Sequence, residues 1–355
     1  MRTDILTART DPGEIRRTTT PPPALEAGAI RVAVETFGLT ANNISYAATG
    51  DALGYYAYFP AEEGWGRVPV WGFARVTETR CDGIPEGERI FGYLPLASEW
   101  VLRPVDAGPL CFSDATAHRT ALHPWYNRYY RCAGDPLFSE DTAEVQPVLW
   151  ALLMTGWRLA EELAPLVDEV FVSSASSKTA LSLAWSLAHR DGPARCVGIT
   201  SEANRAFVES LGVYARVLTY DALASVEAAD RVAYVDLAGN AAATSAAHVA
   251  LGERLVDSVL VGATHRAPSA EPLPMPGPAP RFFFVPNVAE ACAAEATLAD
   301  YHAQFAGVWK PFAGWASGWL SLERGAGADA VEAAYRRVAA GDVPPQNAEV
   351  LSWEA

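Results

Sequence analysis

Between Asp168 and Leu218 the chain repeats one pattern that few folds accept. Val170, Phe171 and Val172 form a short apolar run that reads as a buried strand. Ser173 to Ser177 is a turn of small residues. From Thr179 to His189, Ala180, Leu181, Leu183, Ala184, Leu187 and Ala188 recur at helical spacing. The pattern then starts again. Cys196 to Thr200 is a second strand, Ser201 stands where a helix cap would, and Glu202 to Leu211 is a second helix closed by Gly212. Val217 and Leu218 begin a third strand. Strand and helix alternating in this way build a parallel sheet.

In such a sheet the first strand-to-helix turn is where a dinucleotide pyrophosphate settles, and glycines normally let backbone approach phosphate. Here the turn reads Ser-Ser-Ala-Ser-Ser-Lys-Thr-Ala, Ser173 to Ala180. Ser176, Ser177 and Thr179 offer hydroxyls, and Lys178 a cation, to a phosphate at the helix N-terminus. The competing reading is a turn that has closed and binds nothing, with Lys178 solvated. The Lys-Thr pair lacks the glycines of a P-loop.

Composition narrows the function classes. The chain has 355 residues, half of them hydrophobic and 19% charged, enough for two cores. A net charge of -15 argues against a nucleic-acid surface. No stretch approaches the ~20 apolar residues of a membrane span, and Met1 to Asp11 has no apolar run of signal-peptide length. The expected location is cytoplasmic. Cys81, Cys111, Cys132, Cys196 and Cys292 are scattered and odd in number, as reduced thiols are.

Outside the alternating middle, the first hundred residues read as strands and turns. An edge strand and a loop end at Pro21-Pro22-Pro23. Strands follow at Gly28 to Phe37, Val68 to Thr77, Arg89 to Tyr93 and Glu99 to Arg103. Tyr55 to Trp65 is an aromatic loop. Val145 to Leu163 is a helix. Later strands are Val232 to Leu237, Ser258 to Val261, Phe282 to Val285 and Glu349 to Trp353. Helices are expected at Ala289 to Phe305 and Asp329 to Ala340, with a proline-rich link from Pro268 to Pro280.

The order of elements, with several local strings, resembles the medium-chain dehydrogenase/reductase superfamily in its zinc-free, quinone-reductase-like branch. Pro85-Glu86-Gly87-Glu88-Arg89-Ile90-Phe91-Gly92 is similar to that family's "GDRVFG" strand, and Ser98-Glu99-Trp100-Val101 to its "AEYV". Leu211-Gly212-Val213 with Arg216 to Asp221 is similar to "LGA...VIDY", and Ala340-Gly341-Asp342 leading to Val350-Leu351 to its closing segment. Ser174 to Thr179, Val235 to Asn240, Val261 to His265 and Phe282 to Phe284 resemble an uncharacterised domain family within it, in which a Ser-Ser-Lys-Thr turn replaces the glycine-rich loop.

The resemblance implies a Rossmann-like parallel-sheet domain, 146–285, inserted in a β-rich GroES-like domain made of 1–145 and 286–355. It places the glycine positions on Ser174, Ser177, Lys178 and Ala180. Serine at the first must take a backbone angle that glycine takes more easily. It implies cofactor contacts at Gly239, Asn240, Gly262 and Thr264, and sets Asn43 and Tyr46 beside a nicotinamide. At the second strand end, Thr200 and Ser201 stand where NAD-preferring proteins carry a carboxylate, and Arg205 follows; hydroxyl plus arginine favours NADP. Alternatively Ser201 only caps the helix and Arg205 lies in solvent. Zinc-dependent relatives carry a cysteine near Thr40, and no three ligands converge in the sequence.

Tyr126, Tyr130 and His123, in the stretch His123 to Arg131, are candidate proton donors; aromatic packing is the alternative reading. His265, beyond a parallel strand's carboxyl end, is a further candidate. The expected protein is a zinc-independent, NADPH-dependent reductase of an activated double bond or carbonyl in a small molecule. It is expected to be a homodimer through the Phe282 to Val285 strand, without nucleic-acid or membrane partners. The alternatives are a non-redox lyase or hydrolase on the same fold, or a binding protein.

Overall fold

The alternating sequence and the strand-rich sequence fold into separate units. The computed structural model describes residues 1–261 and 273–354. One unit comprises 1–150 and 293–355, the other 151–292.

The first unit is built on strands. β1 (Arg2–Ala8) and β2 (Asp11–Thr20) form a hairpin, and β1 also pairs with β4 (Trp65–Arg67). The sequence suggested one edge strand and a loop over these residues; β2 is that edge strand, and β1 is a second strand, internal and largely buried, because Ile5 and Leu6 have a core to enter. β3 (Ile30–Leu39) leads into α1 (Ala41–Ala48). β5 (Pro69–Thr79), β6 (Arg89–Pro95), β7 (Glu99–Leu102), β8 (Pro104–Val105), β9 (Cys111–Asp114) and β10 (Arg128–Arg131) follow. β10 lies inside the aromatic stretch and was not legible as a strand.

Register explains the two faces of this sheet. Trp71 pairs with Tyr93, Phe73 with Phe91, and Tyr130 with Phe91. Because side chains alternate, these five rings share one face. Val70, Ala74, Val76, Ile90, Leu94 and Tyr129 belong to the largely aliphatic core of the unit.

α2 (Gln146–Leu163) runs through the boundary between 150 and 151, and the sheet of the second unit is parallel throughout. Its strands are β11 (Glu169–Val172), β12 (Arg195–Thr200), β13 (Arg216–Thr219), β14 (Val232–Asp236), β15 (Leu255–Leu260) and β16 (Arg281–Phe282). The order across the sheet is β13-β12-β11-β14-β15-β16, so chain direction across the sheet reverses between β11 and β14. α3 (Lys178–Ala188), α4 (Glu202–Ser210) and α5 (Ala241–Leu251) are the crossover helices. Gly156 on α2 admits α3: a Cβ there would lie 2.2 Å from Ser182 Oγ.

The expected strand at 282–285 is only Arg281–Phe282. α6 (Val285–Glu295) begins at once, with Pro286 at a first-turn position that needs no N–H donor. The helix read across 289–305 is two. Thr297 Oγ1 accepts the Asp300 N–H at 3.0 Å and starts α7 (Leu298–Ala316). β17 (Ser321–Ala326), unforeseen, precedes α8 (Gly327–Ala340) and β18 (Asn347–Ser352). β18 lies between β17 and β3 in the first unit's large sheet, not in the parallel one. No described helix is long and apolar enough to cross a membrane.

Candidate functional site

The turn after β11 is held by side chains. Ser174 has φ +52, the left-handed angle that glycine would take without cost. Its N–H donates to Tyr220 Oη at 3.0 Å, and the Ala175 carbonyl accepts from Tyr214 Oη at 2.8 Å. Asn204 Nδ2 donates to Ser176 Oγ at 3.2 Å. Ser177 is the N-cap of α3, its Oγ accepting the Ala180 N–H at 3.2 Å. Gly198 on β12 is what lets the turn sit so low. A Cβ there would meet Ala175 Cβ at 2.9 Å and the Tyr214 ring at 3.0 Å.

Lys178 and Thr179 form the first turn of α3, both half-buried. Desolvation pushes the Lys178 ammonium down to about 8. A lowered lysine at a helix N-terminus, whose dipole already repels a cation, is poised to gain from an anion.

Across the switch point the two strand ends are tied. Ser173 Oγ donates to Asp236 Oδ1 at 2.9 Å and accepts the Leu237 N–H at 2.9 Å. Asp236 also accepts from the Ala238 and Gly239 N–H groups, at 2.9 and 3.0 Å, and from Thr244 Oγ1 at 3.0 Å. Gly239 takes φ +66 to present its N–H there. Asn240 Oδ1 caps α5 at the Ala242 and Ala243 N–H groups. Between Asn240 and Tyr220 lies a cleft of about 240 Å³, walled also by Leu223, Ala242, Ala243 and Ala246.

Thr200 is buried. Ser201 occupies the N-cap position of α4, yet its side chain makes no capping bond. Arg205 is paired along the helix with Glu209 at 2.9 Å and Glu202 at 3.9 Å. Gly262, Thr264 and His265 lie outside the described residues.

In the first unit, Asn43 serves its own helix. Its Oδ1 accepts the Thr40 N–H at 2.8 Å and its Nδ2 donates to the Pro69 carbonyl at 3.0 Å. Tyr46 accepts from Trp71 Nε1 at 3.3 Å. Tyr46 and Tyr126 meet in a cluster with Tyr55, Tyr58 and Tyr93, ring centroids 4.5–5.9 Å apart. Burial pushes the Tyr126 phenol well above its ordinary range, with Tyr55 adding to the effect, so this position makes a weaker acid. His123 Nδ1 accepts the Trp125 N–H at 3.3 Å. Tyr130 stacks on His302 at 4.3 Å, and His302 Nε2 lies 2.7 Å from Asp135 Oδ1. His123 and Tyr126 meet edge to face, ring centroids 6.3 Å apart, while Tyr130 packs on His302; both tyrosines are buried.

Ser173, Asp236, Tyr214 and Tyr220 were missed from sequence. Only Tyr220 carried a signal, as the tyrosine of the "VIDY"-like string. Among the described residues no three His, Cys, Asp or Glu are grouped to hold a metal ion.

A parallel sheet in the order 3-2-1-4-5-6 with a β-rich partner unit is the fold of the medium-chain dehydrogenase/reductases. Solved structures agree. CurA from Vibrio vulnificus in complex with NADPH superposes with a TM-score of 0.62 at 12% identity, over 100% of both chains. Mycobacterial Rv1454c complexed with NADPH gives 0.62 at 15% identity, over 99% of this chain and 100% of that one. CurK enoyl reductase gives 0.57 at 13%, over 99% of each. Within this fold the chain belongs to the family described as "Protein of unknown function (DUF2855)", which matches residues 37–344. No curated protein sequence matches the chain.

Proposed function

We propose that the protein is a zinc-independent, NADPH-dependent reductase of an activated double bond or carbonyl in a small organic substrate. The observation that carries this is the β11–α3 turn. It lies at the switch point of a parallel sheet, it takes the glycine-like angle at Ser174, and it sets Lys178 at a helix N-terminus. Two structures of the same fold, CurA and Rv1454c, are complexes with NADPH, and CurK is an enoyl reductase.

The turn fits a phosphate on physical grounds. Lys178 would give a charge-assisted contact, with Ser176 and Thr179 beside it. The bound cofactor would supply hydride, and the chain's task is to hold it and exclude water. The ribose end fits less well, since Arg205 is already paired with two glutamates. The proton would come from solvent or from a residue near the substrate; burial disfavours Tyr126 for that role. We also place the enzyme in the cytoplasm, as a homodimer formed through the β16 edge of its parallel sheet.

A second reading, a non-redox lyase or hydrolase, is favoured by one observation. Tyr220, Tyr214 and Asn204 already bond to the turn that a dinucleotide would need. Titration with NADPH, NADP and NAD, followed by tryptophan fluorescence, decides between them. Saturable NADPH binding supports the reductase; no binding of any of the three supports the second reading.

A further inference from the structure

A serine at φ +52 needs support, because its Cβ makes the left-handed angle costly where glycine takes it freely. Among the described residues only Ser174 and Asp106 take such an angle without being glycine. Around Ser174 the support comes from two tyrosines that flank one strand. Tyr220 follows β13, and its Oη accepts the Ser174 N–H at 3.0 Å. Tyr214 precedes β13, and its Oη donates to the Ala175 carbonyl at 2.8 Å. The peptide between Ser174 and Ala175 is fixed separately. Its carbonyl accepts the Ser177 N–H at 2.7 Å, and its N–H donates to the Ile199 carbonyl at 3.0 Å. The peptides before and after it are the ones the two phenols orient. Gly198 makes room for this, since a Cβ there would meet the Tyr214 ring at 3.0 Å. Both phenol bonds lie on the strand side of the turn. Lys178 and Thr179, which open α3, take part in neither.

We propose that Tyr214 and Tyr220 are positioning residues that set the β11–α3 turn to receive a phosphate, achieving with two hydroxyl bonds what glycine achieves by lacking a Cβ. This role presupposes the reductase reading of the turn and gives the reason its glycines are dispensable. The hydroxyls act through the backbone of Ser174 and Ala175 and leave the helix end of the turn to the anion. A glycine at 174 needs neither of them, because its left-handed angle carries no steric cost. The two tyrosines and Ser174 are therefore coupled: the worth of each hydroxyl depends on the residue at 174.

Phenylalanine at either position keeps the ring and removes only the hydroxyl. NADPH affinity, measured by calorimetric titration of the full chain, is expected to fall about tenfold in Tyr214→Phe and in Tyr220→Phe. In a chain that also carries Ser174→Gly, the same two changes are expected to cost less than about twofold. That rescue separates positioning from direct contact, because a glycine at 174 cannot replace a hydroxyl that touches the cofactor itself. An equal loss in the serine and glycine backgrounds overturns the positioning role and leaves the reductase reading in place. A second measurement uses no ligand. Hydrogen exchange at the Ser177 N–H, which closes the turn onto Ser174, is expected to quicken in each phenylalanine variant and to return to the wild-type rate when Ser174→Gly is added. Exchange there that neither hydroxyl changes also overturns the role. A wild type that binds no NADPH removes the reductase reading itself, and this role with it.

Discussion

At Lys178 the chemistry of one side chain separates the readings of the turn. If its ammonium meets a phosphate, Lys178→Ala removes a charge-assisted contact of about 1.5–3 kcal/mol, a ten- to hundredfold loss of NADPH affinity at roughly 1.4 kcal/mol per decade. The pH dependence has a definite sign. With the group lowered to about 8, the cation is present below that pH and lost above it. A bound phosphate raises the group, so affinity falls as pH climbs through 8 and beyond. Lys178→Arg stays charged and is expected to remain flat over the same range. The chain has only two lysines, Lys178 and Lys310, so amine acylation with and without NADPH reads protection at Lys178 directly. A wild-type affinity that does not change between pH 7 and 9.5 speaks against the contact. Ser174 makes a second test. At φ +52 a non-glycine residue carries strain of about 1 kcal/mol, so Ser174→Gly is expected to leave stability unchanged or raise it by up to that amount in urea unfolding. The strain was legible from the missing glycine. The clasp was not: Asn204, Tyr214 and Tyr220 reach the turn from 28 to 46 residues away along the chain. Spacing and periodicity describe neighbours in sequence, and these are neighbours only once β12 and β13 have paired beside β11.

Among the elements, those that repeated a period were the ones the sequence disclosed. β11, β12, α3 and α4 follow their apolar patterns to within a few residues, as does α2. The misread elements were short apolar runs and strands that lack alternation. Phe282 to Val285 is apolar enough for a buried strand, but four residues cannot fix a period, and Pro286 favours a helix start. β17 reads Ser-Leu-Glu-Arg-Gly-Ala and is mostly exposed, so nothing apolar announced it. The outcome at β16 bears on association. Two residues remain as the sheet's edge, with Phe282 51% exposed and stacked on Phe284 at 6.2 Å. An apolar edge of this kind pairs with another chain unless it is covered. The proposed dimer is expected in light scattering at micromolar concentration, and Phe282→Asp is expected to shift it to monomer while helix content by circular dichroism is kept. A wild-type monomer at that concentration removes the idea.

For the molecule as a whole, two units with separate cores allow two unfolding transitions, and ligands report on the unit that holds them. Zinc is a first check. With no three-ligand group among the described residues, dialysis against a strong chelator is expected to leave both transitions in place, and stoichiometric zinc in the purified protein contradicts the zinc-independent reading. The dinucleotide is the stronger check, because the phosphate and ribose contacts proposed for it lie within 151–292. A ligand that binds only the folded state adds RT ln(1 + [L]/Kd), about 2.7 kcal/mol at a hundred times Kd. That increment is expected in the transition carrying the parallel sheet, read by hydrogen exchange in β11, β12 and β14. It is expected to shrink in Lys178→Ala at the same NADPH concentration, by the factor that its affinity loses. If wild type gains nothing, the next variant is Ser174→Gly with Ser177→Gly. Stabilisation by NADPH in that double variant means the serines had closed a working pocket. Continued silence means the ribose end, where Arg205 is held by Glu202 and Glu209, has also lost its ligand, and the non-redox reading takes over.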